Sequence, residues 1–502
     1  MRVFPKTEDI RTLAKGMDKP CLVPLVRSET GISNPSELFL SIRQNFETTY
    51  LLESLGNSRY VSRYSVIGVG QLLHLRHNGS HIEIDGRKDL TQLSKKRLEE
   101  CDEYFDPLAT LRKAMFIDEM QILGFDLPRY ILGVTGYLGY DYVFENILSE
   151  SKRDSRSHNP LLEFTLPEAV IVFDHKKGQT YYASLMVFSE KTNFEDVHEK
   201  AISRLESLTS TERESSEYEL DEIEVSTNIE KKDFEENVEK IKDYVRSGDV
   251  IQTVISRSIE LTPSPDLDEF YTNLRRINPS PYMFFLDFPE QKIVGSSPEA
   301  LVNVREGKVM TRPIAGTRRR GENEEDDFDI ETELLNDEKE RAEHVMLVDL
   351  GRNDIGKVSE YGSVNISEFM DIEKYGDVQH IVSTVTGELR DEFDSIDALR
   401  ALFPAGTVTG APKERAMEII DEFEPTNRGV YSGSVGSISY TGDADFAITI
   451  RTLTATERKA KIQVGAGIVA DSDPEEEFYE TQNKARSLLR AAGVDDENTS
   501  NR

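Results

Sequence analysis

The sequence predicts an α+β protein, in which strands and helices follow one another in blocks. Short runs with alternating apolar residues, such as HIEIDG and YILGVTGYLGYDYV, are typical of antiparallel strands, and VIVFDHKKGQTYYASLMVF indicates two strands around a Lys-Lys-Gly turn. Longer runs with helical spacing, such as NDEKERAEHVMLVDL and EFYETQNKARSLLRAAG, stand in the second half of the chain. Helices and strands arranged in this way indicate the α+β class.

The second half begins with a clear helix and strand. Phe234, Val238, Ile241 and Val245 fall on one helical face, and Gly248 stands where that helix would end. The run DVIQTVISRSIEL follows as a strand, and SVGSISYT, DFAITIRTLTAT and KAKIQVGAGIVA repeat the strand pattern. Within DFAITIRT, we expect the strand to end in Arg451.

A polar, acidic segment divides the chain. Residues 208–228, LTSTERESSEYELDEIEVSTN, are nearly free of periodic apolar positions, which is typical of a linker or an exposed loop. We therefore expect an N-terminal region over residues 1–207, this linker, a second region over residues 229–490 and a polar tail over residues 491–502.

Charge and composition disfavour several classes of protein. The 93 Asp and Glu against 60 Lys and Arg give a formal net charge of -33, which disfavours binding to nucleic acid and to anionic membranes. Such acidity is also typical of proteins adapted to high salt. The N-terminus lacks an apolar signal core, and no apolar run approaches the roughly 18 residues that a membrane span needs. The sequence predicts a cytoplasmic protein, and Cys21 and Cys101 lack metal-ligand spacing.

Two predicted helices each place a pair of glutamates three residues apart on one face. The pairs are Glu340 with Glu343 and Glu477 with Glu480. Four converging carboxylates would suit a hard cation such as Mg²⁺, which prefers oxygen ligands. In a chain this acidic, such pairs also arise on solvated helix faces, so the pattern alone leaves both interpretations open.

An anionic ligand of this acidic chain would need local cations or backbone amides. Lys484 lies one helical turn after Glu480 on the second glutamate-bearing helix. Arg451 either binds a carboxylate through two parallel hydrogen bonds or forms a structural salt bridge. Two glycine clusters, Gly316-Thr317 and Gly465-Ala466-Gly467, either present amides to an oxyanion or form turns. His380, which alternates with apolar residues on a strand, is either a catalyst or a structural histidine.

A series of motifs resembles those of the chorismate-utilising enzymes. In chain order they are GSSPEALV, RPIAGTRRRG, DEKERAEHVMLVDLGRND, VQHIVSTVTGEL, FPAGTVTGAPKERAMEIID, RGVYSGSVG, ITIRT and VGAGIVADSDPEEEFYETQNKA. They cover residues 230–490 densely. In the first half, LLESLGNSRYVSRYSVIG and VTGYLGYDYV resemble the branch that contains anthranilate synthase large subunits and aminodeoxychorismate synthases.

The resemblance implies a fold and a metal. The fold is a sandwich of two orthogonally packed, mostly antiparallel β-sheets with helices outside, in which both halves of the chain form one interlocked body. The metal is Mg²⁺, with Glu343 and Glu480 as ligands and Glu340 and Glu477 in supporting positions. It would hold the ring carboxylate of chorismate and polarise the adjacent ring carbon.

The same resemblance implies roles at the substrate site. Glu299 matches the general acid for the leaving C4 hydroxyl, and this carboxyl should be protonated when it acts. His380 matches a histidine of the second step, elimination of pyruvate, and Thr407 matches a residue at the ring end of the ligand. The residues that match substrate-binding positions are Gly316, Thr317, Tyr431, Arg451, Gly465, Ala466, Gly467 and Lys484.

Two positions distinguish the branches of the family. Where Ala315 stands, aminodeoxychorismate synthases typically carry a lysine that attacks the ring as a nucleophile. Where Gln252 stands, isochorismate and salicylate synthases carry a lysine that activates water. The resemblance therefore implies direct attack by ammonia to give anthranilate. Aminodeoxychorismate synthesis and an inactive tryptophan-binding regulator remain the alternatives.

The resemblance also implies feedback inhibition by tryptophan. LLES and NPSPYMFF match the effector motifs of anthranilate synthases, although both runs also fit core strand ends; the matching residues are Glu53, Ser54, Pro281, Tyr282 and Met283. In the later run SVGSISY, Ser437 stands where bacterial members commonly carry an aromatic residue. We therefore expect weaker inhibition or a differently shaped pocket.

No glutaminase half is recognisable in the sequence, because neither cysteine lies in a nucleophile elbow such as GxCxG. The resemblance implies that ammonia is delivered from glutamine by a separate glutamine amidotransferase subunit, anthranilate synthase component II. It further implies a heterotetramer of two large and two small subunits.

Overall fold

The structure is a computed structural model of the chain. It describes residues 3–16, 20–55, 63–100, 106–123, 127–148, 160–208, 222–375 and 378–494. Cys101, residues 209–221 of the expected linker and residues 495–502 of the expected tail lie outside these ranges.

The described ranges contain the following regular elements. The strands are β1 (Cys21–Thr30), β2 (Thr49–Glu53), β3 (Tyr64–Val69), β4 (Leu73–His77), β5 (Ile82–Gly86), β6 (Gln121–Ile122), β7 (Gly133–Leu138), β8 (Leu162–Leu166), β9 (Ala169–Asp174), β10 (Gln179–Phe188), β11 (Glu224–Thr227), β12 (Gln252–Thr262), β13 (Tyr282–Asp287), β14 (Lys292–Ser297), β15 (Ala300–Arg305), β16 (Lys308–Thr311), β17 (Ile314–Arg319), β18 (Asn365–Tyr375), β19 (Val378–Glu388), β20 (Gly410–Ala411), β21 (Ser434–Ser439), β22 (Ala444–Ile448), β23 (Thr452–Ala455) and β24 (Ala460–Ile468). The α-helices are α1 (Thr7–Gly16), α2 (Pro35–Ile42), α3 (Lys88–Glu99), α4 (Pro107–Ala114), α5 (Tyr142–Asn146), α6 (Phe194–Ser207), α7 (Lys231–Ser247), α8 (Leu267–Ile277), α9 (Glu324–Asn336), α10 (Glu338–Gly356), α11 (Ser395–Leu402), α12 (Lys413–Phe423) and α13 (Pro474–Ala491).

The strands form two sheets. Sheet 1 has the order β11-β12-β24-β23-β14-β13-β2-β3-β9-β10-β1-β6, with β20 beside β12. Sheet 2 has the order β17-β19-β16-β15-β22-β21-β7-β8-β4-β5, with β18 beside β19. Strand pairs in the described ranges are antiparallel, apart from the parallel pair of β1 and β6. The predicted α+β class with two mostly antiparallel sheets is confirmed.

Alternate residues of the strands of sheet 1 belong to two different hydrophobic cores. Leu22 on β1 packs in the same buried cluster as Phe164 of sheet 2. Val23, the next residue, packs in a second cluster with Phe39 of α2 and Leu488 of α13. Because neighbouring residues of a strand point to opposite faces, sheet 1 lies between sheet 2 and a layer of helices.

The two halves of the chain share both sheets. In sheet 1, β2 lies beside β13, with Glu53 opposite Met283. In sheet 2, β7 lies beside β21, with Thr135 opposite Ser437. The end of the expected linker also enters the fold, because Glu224–Thr227 form β11 beside β12. This short strand is mostly exposed, which explains why its sequence carries little apolar signal.

Most of the elements expected from sequence are present. The helix expected before Gly248 is α7, and Gly248 has φ 84°, the left-handed conformation that ends a helix. The hairpin around the Lys-Lys-Gly turn is formed by β9 and β10. The expected strand ending in Arg451 is wrong: β22 ends at Ile448, and Arg451 has φ 49°. Here the chain crosses from sheet 2 to sheet 1. Within the described ranges, no helix has the length and apolar character that crossing a membrane requires.

Candidate active site

Two crossings between the sheets lie side by side. The chain passes from β14 in sheet 1 to β15 in sheet 2 through Pro298 and Glu299, and it passes from β22 in sheet 2 to β23 in sheet 1 through residues 449–451. The backbone N–H of Ile448 donates to the carbonyl oxygen of Glu299 at 3.0 Å and so ties the crossings together. The expected acid, Glu299, and the expected cation, Arg451, therefore meet at the seam of the sandwich.

Glu299 has the protonation state that a general acid needs. Only 7% of its surface is exposed. Burial raises the pKa of its carboxyl to about 8, while the neighbouring Thr407 side chain and the Arg451 guanidinium oppose the rise. The carboxyl is therefore largely protonated near neutral pH. Glu299 and Thr407 also border a cavity of about 380 Å³, whose other walls include residues of α10.

Arg451 is fixed by two hydrogen bonds. Its Nη1 donates to Oδ1 of Asn278 at 3.2 Å, and its backbone carbonyl accepts from the N–H of Ser296 at 3.1 Å. Burial lowers the pKa of the guanidinium, and the neighbouring Glu299 opposes this effect. An arginine nevertheless stays charged in a protein. A charged guanidinium beside a protonated acid is a suitable partner for an anionic ligand.

The glycines of β24 allow two side chains to approach its backbone. A Cβ on Gly467 would lie 2.4 Å from Nε2 of Gln252, and a Cβ on Gly465 would lie 2.9 Å from Oη of Tyr431. Burial raises the pKa of Tyr431 to about 12, so its hydroxyl keeps its proton as a donor. Oε1 of Gln252 is buried and has no hydrogen-bond partner in the described part of the chain. This oxygen is available to a ligand.

The two glutamate pairs lie on α10 and α13 and affect one another. Nε2 of Gln252 donates to Oε1 of Glu343 at 3.4 Å. Burial raises the pKa of Glu343, and the neighbouring Glu340 and Glu480 raise it further. Burial also raises the pKa of Glu477, again with a contribution from Glu480. The four carboxylates expected to converge are therefore electrostatic neighbours.

Two of these carboxylates are bonded to cations. Glu480 lies 2.7 Å from Nζ of Lys484, and Glu340 lies 2.9 Å from Nη1 of Arg318. The described residues accordingly contain no preformed group of three or more acidic, His or Cys side chains that could hold a metal. The donor set still fits Mg²⁺, because it offers carboxylate oxygens only and because Oε2 of Glu477 is buried without a partner among the described residues. A bound cation would also reduce the repulsion between these carboxylates.

His380 is held by the backbone turn at Gly316. Its Nδ1 lies 2.9 Å from Oγ1 of Thr317 and 3.2 Å from the carbonyl oxygen of Gly316. Burial, followed by the charge of Arg451, lowers the pKa of His380 to about 4, so the imidazole is neutral at pH 7. Gly316 has φ 66°, and a Cβ there would lie 3.1 Å from Oε2 of Glu340. The turn of backbone at Gly316 thus places His380 close to the carboxylate cluster.

Lys484 completes the candidate site. Its Nζ donates to the carbonyl oxygen of Gly465 at 2.9 Å, so this cation lies against β24. Ala466 faces the opposite side of the strand, where its side chain packs in the core with Phe234 and Val238 of α7. Of this residue, the backbone alone is placed to serve the site.

The five expected effector residues lie apart from these groups, in a second cavity of about 480 Å³ between the sheets; they are Glu53, Ser54, Pro281, Tyr282 and Met283. The carboxylate of Glu53 is already bonded, because Arg275 donates to it at 2.8 and 3.1 Å and Tyr271 at 3.0 Å. Oγ of Ser54 is buried and lacks a partner in the described ranges. Ser54 is thus a better contact for a polar ligand than Glu53.

Ser437 changes the surroundings of this second cavity. It borders an adjoining cavity of about 270 Å³, and Tyr130 and Asp445 line both cavities. The hydroxyls of Tyr130 and Tyr282 donate to Asp445 at 2.8 and 3.2 Å. Because serine is small, it leaves space behind Asp445 that an aromatic side chain would reduce.

Sequence reasoning missed three residues that hold these groups. Asn278 binds Arg451, Arg318 binds Glu340, and Arg275 binds Glu53. Asn278 opens the run NPSPYMFF, and Arg318 lies within RPIAGTRRRG, so both stood inside recognised motifs. Arg275 had no comparable signal, because it lies 222 residues from Glu53 in the sequence.

A buried acid, neighbouring carboxylate pairs and cations lie around a glycine-rich strand, an arrangement suited to an enzyme that acts on a small anionic substrate. The chain belongs to the chorismate binding enzyme family, whose model matches residues 67–490. This confirms the resemblance read from the motifs.

Relatives of the chain match it over nearly its whole length. It is 40% identical to anthranilate synthase component 1 of Aquifex aeolicus, over 98% of each chain, and 40% identical to that of Pseudomonas aeruginosa, over 97% of this chain and 98% of the relative. The crystal structure of anthranilate synthase component I from Streptococcus pneumoniae has a TM-score of 0.71 and 36% identity, covering 87% of this chain and 94% of that one.

Proposed function

We propose that the chain is the aminating subunit of an anthranilate synthase, which converts chorismate and ammonia to anthranilate, pyruvate and water. One observation carries the chemistry of this proposal. Glu299 is held protonated by burial and lies beside the charged Arg451. A hydroxyl group leaves readily only when it receives a proton, and Glu299 is the group that can give one.

In the first step, ammonia bonds to the ring as the C4 hydroxyl departs. Glu299 gives its proton to that hydroxyl, which leaves as water. Arg451 stabilises the carboxylate that remains on Glu299. The new nitrogen substituent then loses a proton, and a proton returned to Glu299 restores the acid for the next turnover.

In the second step, a ring proton is removed and the bond to the enolpyruvyl oxygen breaks. His380 is suited to accept a proton because its imidazole is neutral. The enolpyruvyl group takes up a proton as it becomes pyruvate, and the ring becomes aromatic.

The substrate is held by its two carboxylates. Arg451, Tyr431 and Lys484 offer a guanidinium, a hydroxyl and an ammonium for the enolpyruvyl carboxylate, together with the backbone of β24. For the ring carboxylate, Mg²⁺ would be held by Glu343 and Glu480, with Glu340 and Glu477 in support. When bound, the ion neutralises the ring carboxylate and withdraws electron density from the adjacent carbon.

The residues near the ring favour free ammonia as the nucleophile. Ala315 is buried on β17 opposite Ile381 and has no group that could attack the ring covalently. Gln252 is an amide and cannot deprotonate water, but its Oε1, which lacks a partner among the described residues, can accept a hydrogen bond from ammonia. These two residues support amination over aminodeoxychorismate or isochorismate synthesis.

The same proposal includes inhibition by tryptophan and a partner subunit that supplies ammonia. Tryptophan would bind in the second cavity, where Pro281 and Met283 offer apolar walls and Ser54 offers a hydroxyl that has no partner within the described ranges. A separate glutamine amidotransferase subunit would supply ammonia, in an assembly of two large and two small subunits.

The proposal is tested by the fluorescence of anthranilate. The purified chain receives chorismate, Mg²⁺ and ammonium at mildly alkaline pH, with parallel samples lacking each component. We expect fluorescence that requires all three, falls with added tryptophan and is lost in Glu299→Gln. Addition of a glutamine amidotransferase subunit should allow glutamine to replace ammonium. Consumption of chorismate without anthranilate would refute the amination proposal.

A further inference from the structure

A buried ion pair lies directly behind the candidate site. Arg428 has no exposed surface, and Glu424 is 6% exposed. Nε and Nη2 of Arg428 donate to the Glu424 carboxylate at 2.7 to 3.1 Å. Glu424 also accepts from both the N–H and the hydroxyl of Ser256 at 2.7 Å. Neither Arg428 nor Glu424 belongs to the residues assigned above to catalysis or binding.

The rest of the guanidinium joins three separate segments of the chain. Nη2 donates to the carbonyl oxygen of Val254 at 2.7 Å, and Nη1 donates to that of Val408 at 2.7 Å. Nη1 also donates to Oγ of Ser432 at 3.1 Å. The guanidinium carbon lies 5.6 Å from the centre of the Tyr431 ring. One side chain thus fixes β12, the turn before β20 and the segment before β21.

Each of these segments carries a residue of the candidate site. Val254 lies two residues after Gln252 on the same face of β12. Val408 directly follows Thr407, and Ser432 directly follows Tyr431. Ser432 has φ 62°, a left-handed conformation that a serine rarely adopts without support from its surroundings. The hydrogen bond from Arg428 supplies such support next to Tyr431.

Stability alone does not account for this arrangement. Removing both charges of a fully buried pair from water costs several kcal/mol per ion, and apolar replacements of buried pairs are often as stable as the pair. What apolar side chains cannot supply is the set of directed bonds to Glu424, Val254, Val408 and Ser432. A planar guanidinium holds its donors in a fixed fork, so it sets the relative positions of the segments it joins.

We propose that Arg428, oriented by Glu424, is a positioning residue of the chorismate site. It aligns Tyr431, Thr407 and Gln252 with one another without touching the substrate. This inference rests on the proposed function, which places those three residues on chorismate. Misplacement of reacting groups by about 1 Å can cost about 100-fold in rate, so loss of the guanidinium should act mainly on kcat/KM for chorismate.

The test separates positioning from stability. In Arg428→Met, Glu424 loses the guanidinium that compensates its buried charge, and we expect a lower Tm and a loss of activity. In Glu424→Gln/Arg428→Met both charges of the pair are removed, and the glutamine can still accept from Ser256, so Tm should recover towards that of the wild type. We expect kcat/KM for chorismate to stay about 100-fold low in the double variant, with a raised KM. A merely structural role predicts that activity recovers together with Tm.

Two further variants keep the result decisive. Arg428→Lys retains the charge but not the fixed planar arrangement of donors, so it should fold and still show the raised KM. Arg112→Met is the control, because Arg112 binds Asp394 at 2.8 and 2.9 Å, outside the candidate site; its Tm should fall while its KM stays unchanged. A kcat/KM within about twofold of the wild type in folded Arg428→Lys or in the folded double variant would overturn the inference. Absence of anthranilate from the wild type would instead refute the proposed function.

Discussion

Nη1 of Arg451 donates a hydrogen bond to Oδ1 of Asn278 at 3.2 Å. Asn278 stands three residues before Pro281, which lines the second cavity. Ser296 strengthens this link. Its N–H donates to the carbonyl oxygen of Arg451, and its hydroxyl donates to the carbonyl oxygen of Asn278. Ser296 also lies opposite Met283 in the pair formed by β13 and β14. Arg451 of the candidate site is therefore connected to the second cavity by a short series of direct contacts.

Asn278→Ala should weaken this connection. A hydrogen bond to a charged group contributes about 1.5 to 3 kcal/mol, so we expect KM for chorismate to rise about 10-fold. The response of the activity to tryptophan should weaken as well, because Asn278 joins Arg451 to the segment that lines the second cavity. Steady-state kinetics at several tryptophan concentrations measure both. Asn273→Ala on α8 is the control; an unchanged response to tryptophan in Asn278→Ala would contradict the prediction.

Ser54→Ala should weaken the binding of tryptophan without affecting catalysis. The hydroxyl of Ser54 is buried in the second cavity and has no partner in the described part of the chain. Loss of one hydrogen bond to a charged ligand group predicts about 10-fold weaker binding. The chain contains no tryptophan, so the fluorescence of the ligand itself reports binding. Ser247→Ala, at the exposed end of α7, is the control, and equal affinities in the two variants would exclude this role.

Glu343→Gln and Glu480→Gln should each abolish activity that depends on Mg²⁺. Each substitution removes one negative charge from the carboxylate cluster and replaces an anionic oxygen with a weaker ligand. We expect kcat/KM to fall at least about 100-fold, and the rise in Tm that Mg²⁺ gives to the wild type should disappear. Glu475→Gln is the matched control on α13, because Glu475 is exposed and binds Lys231. Near-normal activity in both variants would remove the metal assignment.

Local periodicity was enough to predict part of this architecture. The spacing of Glu340 and Glu343 placed both on one face of α10, and Gly248 marked the end of α7, because each depends on residues within a few positions of one another. The motifs also identified the family. They gave the site residues by resemblance, and the structure brings most of them together around β24 and the two crossings.

What sequence reasoning missed depends on contacts between distant segments. The expected strand does not reach Arg451, because the chain passes from one sheet to the other there. No local pattern in the sequence indicates that change. Glu53 pairs with Arg275 across 222 residues, and Arg428 reaches Val254 across 174. Such partners are chosen by the packing of strands, helices and turns that are far apart in the sequence. A sequence without its fold cannot show which side chains will face each other there.

Activity should depend on the protonation of Glu299, whose pKa burial raises from 4.5 to about 8. At a fixed concentration of unprotonated ammonia, kcat/KM for chorismate should fall about tenfold per pH unit above pH 8, as the acid is lost. The free energy of unfolding should also depend on pH because of the raised pKa of Glu299. The folded state binds the proton of Glu299 more tightly than the unfolded state does. The stabilisation that this proton gives to the folded state is therefore fully present below pH 4.5 and is lost as the pH rises through about 8. Glu299→Gln removes this titration, so it should be inactive yet gain about 5 kcal/mol relative to the wild type between pH 4.5 and 9. Denaturant unfolding of both proteins across that range measures the difference, and parallel curves would show that Glu299 does not titrate as proposed.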